Sequence, residues 1–357
     1  MLQIFREIVC LQTTNANAAL ATVVSVKGST PRAEGSRMLI HADGSLRGSI
    51  GGGCVEAAVW QAAKKTISSR ASQLLEYDLT GRTETPEGLI CGGTMQVFVE
   101  PVPSLASADI FSEVLHLTDE GSSCSLATVI SSSQNQLEPG RKLLISENGS
   151  LLGATNDAEL NESIFQTGRA VLEKNYSVMI DCGGARIFVE PVFPEPAVYI
   201  FGAGHVGFAV STIAHLTGFR VVVIDDRPAY ANKERFPDAE DFYIEDPADA
   251  VAHLRLNKSS YAVIACRGHL EDQRVLAEVL QTSAGYIGMI GSRKKTKTVF
   301  ANLVSQGIPA EALTRIHAPV GLPIATETPE EIAVSIMAEI IDARNCGKKI
   351  NRPAETG

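Results

Sequence analysis

The run VYIFGAGHVGFAVSTIAHLTGFRVVVIDDRP, from Val198 to Pro228, leaves few folds open to the second half of the chain. An apolar strand, a Gly-x-Gly-x-x-Gly turn, a helical stretch and a second apolar strand follow one another, the unit from which open parallel α/β sheets are wound. In that context Gly202 allows the tight turn, Gly204 lets a phosphate approach the backbone, and Gly207 lets the helix pack closely on the sheet. His205 sits inside the turn, where it either contacts a ligand or caps the rim of the crevice. Asp225 closes the second strand and is placed to hold a ribose diol, its charge opposing a 2′-phosphate; Asp226 and Arg227 offer neighbouring registers. NAD or another adenine nucleotide is the expected ligand.

Further strands are expected at Asp241 to Glu245, Tyr261 to Cys266 and Tyr286 to Gly291, with helices between them. Residues 197–345 therefore read as a Rossmann-type, doubly wound parallel sheet. Two strand ends carry polar groups toward its crevice: Arg267-Gly268-His269 and Gly291-Ser292-Arg293-Lys294-Lys295. Ser292 and Arg293 sit at a helix start that suits an anion, against the blander reading of a solvated basic turn. Thr328-Pro329-Glu330-Glu331 reads as a capping box with proline at the first helical position.

The first half is written twice. LATVVSV, from Leu20, leads to GSRMLIHADGSLRG; LATVISS, from Leu126, leads to GRKLLISENGSLLG. Each copy continues into a helical stretch and ends in a related strand, CGGTMQVFVEPV or CGGARIFVEPV, which makes a tandem α+β repeat. The expected domains are an α+β domain over 1–193, with copies at about 20–102 and 126–192, the sheet domain over 197–345, and a tail over 346–357. Pro191, Pro194 and Pro196 mark the boundary. Asp43-Gly44 and Asn148-Gly149, between apolar runs, predict tight hairpins with positive φ angles.

Where the copies differ says more about chemistry, because structural needs are shared. Gly51, Gly52, Gly53 and Cys54 of copy one face Asn156, Asp157, Ala158 and Glu159 of copy two. A triple glycine feeding a helix start exposes unpaired N–H groups that favour an anion. Cys54, in the first turn, is either a nucleophile, persulfide carrier or soft-metal ligand, or a small buried residue. Glu56 is either a general base or a favourable first-turn acid. Arg32, from a GSTPR segment whose counterpart SSQNQLEP has no arginine, suits phosphate oxygens. Arg37 and Arg47 flank the same hairpin; Arg37 has Lys142 opposite it, so a surface role explains it as well as a phosphate contact does. Cys91 is matched by Cys182, which favours packing at a strand start over a site role. Asp157 and Glu159 would repel a phosphate, so copy two is expected to be scaffold.

With 357 residues, 45% hydrophobic and 20% charged, the chain has the makings of two full cores. A net charge of −10 disfavours nucleic acid as a partner. Seven scattered cysteines without a C-x-x-C pair indicate neither a zinc knuckle nor a disulfide framework. The opening MLQIFREIVCLQ reads as a helix rather than a signal peptide, and no run approaches the ~20 apolar residues of a membrane span, so a cytoplasmic protein is expected.

Taken together, GSTPRAEGSRMLI, GSIGGGCVEAAV, LICGGTMQVFVEP, FGAGHVG, VIDDRP, RGHLEDQRVL, YIGMIGSRKK and HAPVGLPIATETPEEIAVSI resemble the XdhC/CoxI family over nearly the whole chain. The resemblance implies a maturation factor for the molybdenum cofactor (molybdopterin) rather than a stand-alone enzyme. Such factors hold the cofactor, support its sulfuration in concert with a cysteine desulfurase, and hand it to the apoenzyme of a xanthine dehydrogenase-like or carbon monoxide dehydrogenase-like molybdenum hydroxylase. The resemblance also implies a homodimer. Copy two departs from the motif at Asn156 to Glu159, and nothing is carried over to it. The sheet domain taken alone would fit two rivals, an NAD-dependent oxidoreductase or a non-catalytic nucleotide-binding regulator of assembly; the first lacks an evident acid or base for hydride transfer.

Overall fold

Each sequence repeat folds into the same succession of elements. In the computed structural model, which describes residues 1–14, 16–79, 92–102, 108–133 and 137–345 (side chains 54 and 108 apart), copy one runs α1 (Leu2–Thr14), β1 (Ala18–Lys27), β2 (Arg37–His41), β3 (Leu46–Gly48), α2 (Gly53–Ser69), β4 (Gln73–Asp78) and β5 (Thr94–Val102). Copy two runs α3 (Ala108–Asp119), β6 (Cys124–Ser132), β7 (Lys142–Ser146), β8 (Leu151–Leu152), α4 (Ala158–Lys174), β9 (Val178–Cys182) and β10 (Ala185–Val192). The sheets have matching orders, β3-β2-β1-β5-β4 and β8-β7-β6-β10-β9, and every pairing in them is antiparallel. Each copy thus begins one helix earlier than the matched strands indicate.

The run AALATVV in β1 is buried on both faces, which explains its unbroken apolar character. Ala19, Ala21 and Val23 pack under Val55, Val59 and Ala63 of α2. Ala18 and Leu20 point the other way, into a cluster shared with Phe5 of α1, Phe111 of α3 and Leu126 of β6. Repeated copies therefore share one core, with α1 and α3 at its centre.

That shared core also holds charge. Arg37 pairs with Glu190 and Lys142 with Glu100, the latter with Nζ donating at 2.8 and 3.0 Å. All four side chains are almost fully buried. The surface role allowed for Arg37 is thus corrected: it and Lys142 each reach into the opposite copy, where their own apolar surroundings demand a counter-charge.

The hairpin tips are corrected too. Gly44 N–H donates to the His41 carbonyl and His41 N–H to the Ser45 carbonyl, and Gly44 alone takes a positive φ, 89°. That is a type I turn followed by a left-handed glycine, a three-residue loop rather than a two-residue primed turn. Gly149 repeats it between Ser146 and Ser150.

The described residues divide into two compact units, one ending at Val192 and one starting at Phe193. The second contains β11 (Ala197–Phe201), α5 (His205–Leu216), β12 (Arg220–Ile224), β13 (Asp241–Tyr243), α6 (Pro247–Ala250), β14 (Ser260–Ile264), α7 (His269–Val279), β15 (Tyr286–Met289), α8 (Arg293–Ser305), β16 (Ile316–His317) and α9 (Pro329–Asn345). Its sheet is parallel throughout, in the order β13-β12-β11-β14-β15-β16, with an apolar cluster on each face. Strand order reverses between β11 and β14, where such sheets open a crevice. At α9 the capping box forms as expected: Thr328 Oγ1 accepts from Glu331 N, and Glu331 Oε2 accepts from Thr328 N, both at 3.2 Å. Among the described residues no helix is long and apolar enough to cross a membrane.

Candidate functional site

Three glycine-bearing segments of copy one meet at one end of its sheet. A Cβ at Gly51 would lie 2.6 Å from Pro31 Cβ and 3.7 Å from Arg32 Cγ, so the GSTPR and GGGC segments are in contact. A Cβ at Gly93 would strike the carbonyl oxygens of Lys27 and Ser29, at 2.4 and 2.5 Å. By contrast, among the described residues a Cβ at Gly52 or Gly92 would meet nothing within 4 Å. The packed glycines fix the segments against each other, and the other two leave bare backbone facing open space. Arg32 is exposed beside them.

Gly51, Gly52 and Gly53 all have positive φ, at 132°, 80° and 67°. Three such residues in succession are closed to L side chains, which accounts for the triple glycine. Gly52 is the N-cap of α2, and no side chain caps that end. The equivalent cap in copy two is Asp157, whose side chain accepts from Leu160 N at 3.0 Å. Helix α4 thus starts with its own carboxylate in place, and α2 starts with glycine.

Glu56 turns back to the loop before the helix. Its Oε1 accepts from Ser49 Oγ at 2.8 Å, Ile50 N at 3.0 Å and Gly51 N at 3.3 Å. Burial alone would raise its pKa, but the hydrogen bonds from Ser49 and from the backbone of Gly52, Ile50 and Gly51 outweigh it and hold the carboxyl below its ordinary range. A carboxylate so satisfied is a poor proton acceptor; it shapes the loop before the helix. The backbone of Cys54 follows Gly53 in the first turn of α2. Its side chain, and all of Cys91, lie outside the described residues. Of the other cysteines, Cys124 and Cys266 are poor nucleophiles: burial pushes the Cys124 thiol up to about 12, and raises Cys266 as well. Cys182 ends β9 before the turn glycines Gly183 and Gly184, where copy one instead carries residues 80–91.

The turn of the second unit has the expected division of labour. A Cβ at Gly202 would lie 2.3 Å from the Ala265 carbonyl oxygen, and one at Gly207 2.2 Å from that of Gly202, so both positions admit only glycine. A Cβ at Gly204 would meet nothing within 4 Å, which leaves room for a ligand at the start of α5. His205, the first residue of α5, is exposed at that rim. Ser292 caps α8, accepting from Lys295 N at 3.2 Å. Lys295 turns inward to the buried Asp272, so Arg293 and Lys294 are the cations left outward at that helix start.

Asp225 departs from expectation. It is 3% exposed and faces the turn rather than the crevice: Oδ2 accepts from Ala203 N and Arg227 Nη2, Oδ1 from Arg227 N and Nε. Burial alone would raise its pKa; the Arg227 guanidinium and the two backbone N–H groups prevail and lower it from the ordinary 3.8. Spacing placed this carboxylate correctly along the chain but not its direction.

The structure also brings together a network that the sequence pattern does not announce. Glu339 of α9 accepts from Tyr286 Oη at 2.6 Å and Gly321 N at 2.7 Å, and its Oε1 lies 3.0 Å from His317 Nδ1. The His317 ring stacks on Tyr286. These bonds together outweigh burial and hold Glu339 below its ordinary 4.5. A depressed folded-state pKa gives stability that is complete above the unfolded value and is lost as pH falls from there through the folded value. The second unit is therefore expected to weaken from about pH 4.5 downward, with Asp225→Asn flattening the lower part of that loss. Urea unfolding from about pH 7 to about pH 3 checks this; an unaltered profile in Asp225→Asn would remove Asp225 as a contributor.

Comparison with known proteins follows the same two-part division. The chain is 30% identical to a probable xanthine dehydrogenase subunit of Bacillus subtilis over 329 residues, 92% of this chain and 93% of that protein. The chain belongs to the XdhC and CoxI family. The XdhC and CoxI family pattern matches residues 11–78, and that of the XdhC Rossmann domain matches 198–340. A crystal structure named as a xanthine dehydrogenase from Bacillus halodurans superposes with a TM-score of 0.76 at 27% identity, covering 98% of each chain. The molybdenum cofactor insertion chaperone PaoD of Escherichia coli is 22% identical over 327 residues, 92% of this chain and 83% of PaoD. The matched N-terminal segment of this XdhC and CoxI family member contains Arg32, Gly51, Gly52, Gly53, Cys54 and Glu56.

Proposed function

We propose that this chain is an accessory factor that binds the molybdenum cofactor, supports its sulfuration and delivers it to a xanthine dehydrogenase-type molybdenum hydroxylase. The observation that carries the proposal is the difference between two otherwise matching helix starts: α4 is capped by Asp157, and α2 by Gly52 with open space before it. A site for an anionic cargo needs free N–H groups at the helix start: Glu56 takes the loop N–H groups ahead of α2, among them Ile50 and Gly51, but no side chain caps the helix itself, whereas Asp157 caps α4. The names of the relatives, a cofactor insertion chaperone and a component of xanthine dehydrogenase, support the choice of cargo and client.

In this reading the cofactor is cargo. The N–H groups of the first turn of α2, from Gly53 on, and Arg32 hold its phosphate, with Gly51 and Gly52 shaping the approach and Gly92 leaving space beside it. Cys54 at the helix start carries sulfane sulfur received from a cysteine desulfurase or contacts molybdenum, helped by a helix dipole that favours thiolate. Glu56 keeps the loop in shape. The second unit binds a nucleotide at Gly202 to Gly207.

Cys54→Ala is expected to retain the cofactor while activation of the client falls at least about tenfold, the loss of one essential transfer group. Client activity assayed after incubation with loaded protein checks this. A variant that binds cofactor and activates the client normally would remove the thiol from the mechanism. Turnover of a substrate with a nicotinamide nucleotide, in the absence of any client, would instead favour an independent oxidoreductase.

A further inference from the structure

Recognition of a ribose diol at the end of the second strand requires a carboxylate with free oxygens. At this strand end both acids are already engaged by arginines. A carboxylate has about four acceptor directions, and Asp225 receives Ala203 N at 2.8 Å and Arg227 N, Nε and Nη2 at 3.0, 2.8 and 2.8 Å. The next acid, Asp226, has both oxygens on Arg267 Nη2, at 2.9 and 2.8 Å.

What stands at this strand end instead is positive charge on an aromatic support. The Arg227 guanidinium lies 3.9 Å from the centroid of the Tyr230 ring and that of Arg235 lies 4.6 Å from it. Arg227 Nη1 takes no part in the bonds to Asp225. Arg235 has no carboxylate partner among the described residues, and its position is fixed by its own N–H on Asn232 Oδ1 at 3.0 Å and by the buried Phe236 that follows. The loop between the two arginines is held by Tyr230 N and Ala231 N, both donating to the Arg227 carbonyl. Two like charges are drawn to one ring, and the acids near them, Asp225 at 2.8 Å and Asp226 at 3.9 Å, both lie on Arg227, so an added anion beside Arg235 is stabilising.

Resting on the reading of the second unit as a nucleotide site, we infer that its nucleotide carries a phosphate on the adenosine ribose, bound by Arg227 and Arg235 beside Tyr230. A phosphomonoester brings nearly two negative charges and three acceptor oxygens, and planar guanidiniums match them in pairs. The diphosphate of the same nucleotide would occupy the open space at Gly204. The charge of Asp225, which on spacing alone opposes a 2′-phosphate, is spent on the glycine turn and on Arg227.

Calorimetric titration of the full-length protein with NADP+, NAD+, 2′,5′-ADP and AMP tests this. Each phosphorylated member is expected to bind at least about tenfold tighter than its partner, the scale of one charge-assisted contact. Arg235→Gln and Tyr230→Leu should bring the NADP+ to NAD+ affinity ratio toward one; Arg227 is less informative because it also holds Asp225. Equal or tighter binding of NAD+ overturns the inference and leaves the nucleotide reading standing. Binding of none of the four overturns both. A preference for NADP+ that survives Arg235→Gln and Tyr230→Leu also overturns the assignment to this cluster.

Discussion

Glu190→Ala is expected to destabilise the first unit by about 3–5 kcal/mol, because it strands a buried cation. Arg37 and Glu190 have side chains 4% and 1% exposed, and Arg37 reaches no other carboxylate among the described residues. The pair is imperfect as well as buried: Arg37 Nε and Glu190 Oε2 have no hydrogen-bond partner in the described structure. Such pairs are costly to break and cheap to replace, so the double variant Arg37→Met with Glu190→Leu should recover most of the loss. Lys142 and Glu100, the matching pair, are better satisfied, with Thr128 Oγ1 3.3 Å from Nζ. Glu100→Ala should therefore cost as much, with less recovered by an apolar double replacement. Urea unfolding of singles and doubles gives the coupling directly. Near-wild-type stability in Glu190→Ala would mean that the charge is reached by solvent and that the two copies are held by apolar contact alone.

These pairs also show why part of the fold was hidden in the sequence. A basic residue opening a strand, Arg37 or Lys142, reads as surface because its partner stands far along the chain in the other copy. The repeat itself was legible from matched strands, and the parallel sheet from its apolar runs and glycine turn. Helix α3 continues the repeat beyond the matched strands, since its IFSEVLHL shares Ile, Phe, Glu and Leu in register with IFREIVCL of α1, and Ile110, Phe111, Val114 and Leu115 form its apolar face. Strands β4 and β9 are half-exposed edges whose residues lack the alternation of a one-sided strand, QLLEYD and VMIDC.

At the candidate site, spacing along the chain and hydrogen bonding in the fold tell different things. Gly51 to Gly53 stood out because copy two lacks them, and the structure packs Gly51 against Pro31 and Arg32 while Gly52 faces open space. Glu56 was visible as a first-turn acid, but only coordinates show it reaching back to Ile50 and Gly51. Asp225 stood at the right spacing for a diol; Arg227, two residues on, folds back to claim it. In each case a short-range hydrogen bond decided between two chemistries that spacing could not separate.

Gly52→Asp puts the difference between the copies to the test, since it writes the cap of copy two into copy one. It is expected to cut cofactor retention and client activation on the order of a hundredfold, the scale of several kcal/mol of like-charge contact with a phosphate. The substitution also strains the backbone, because Gly52 sits at φ 80° and ψ 179°, where Asp157 has φ −95° and ψ 106°. That strain costs about 1–3 kcal/mol for any side chain. Gly52→Ala shares the strain and lacks the charge, and a Cβ there meets nothing. The two variants should therefore lose similar thermal stability but differ in cofactor retention, measured as pterin released on denaturation. Equal retention in the alanine and aspartate variants would locate the cargo elsewhere, whatever their stability. The reciprocal change, Asp157→Gly, should lower stability by about 1 kcal/mol through loss of the cap to Leu160. It should leave retention unchanged, because copy two then has the bare helix start without Arg32 or the glycines packed beside it.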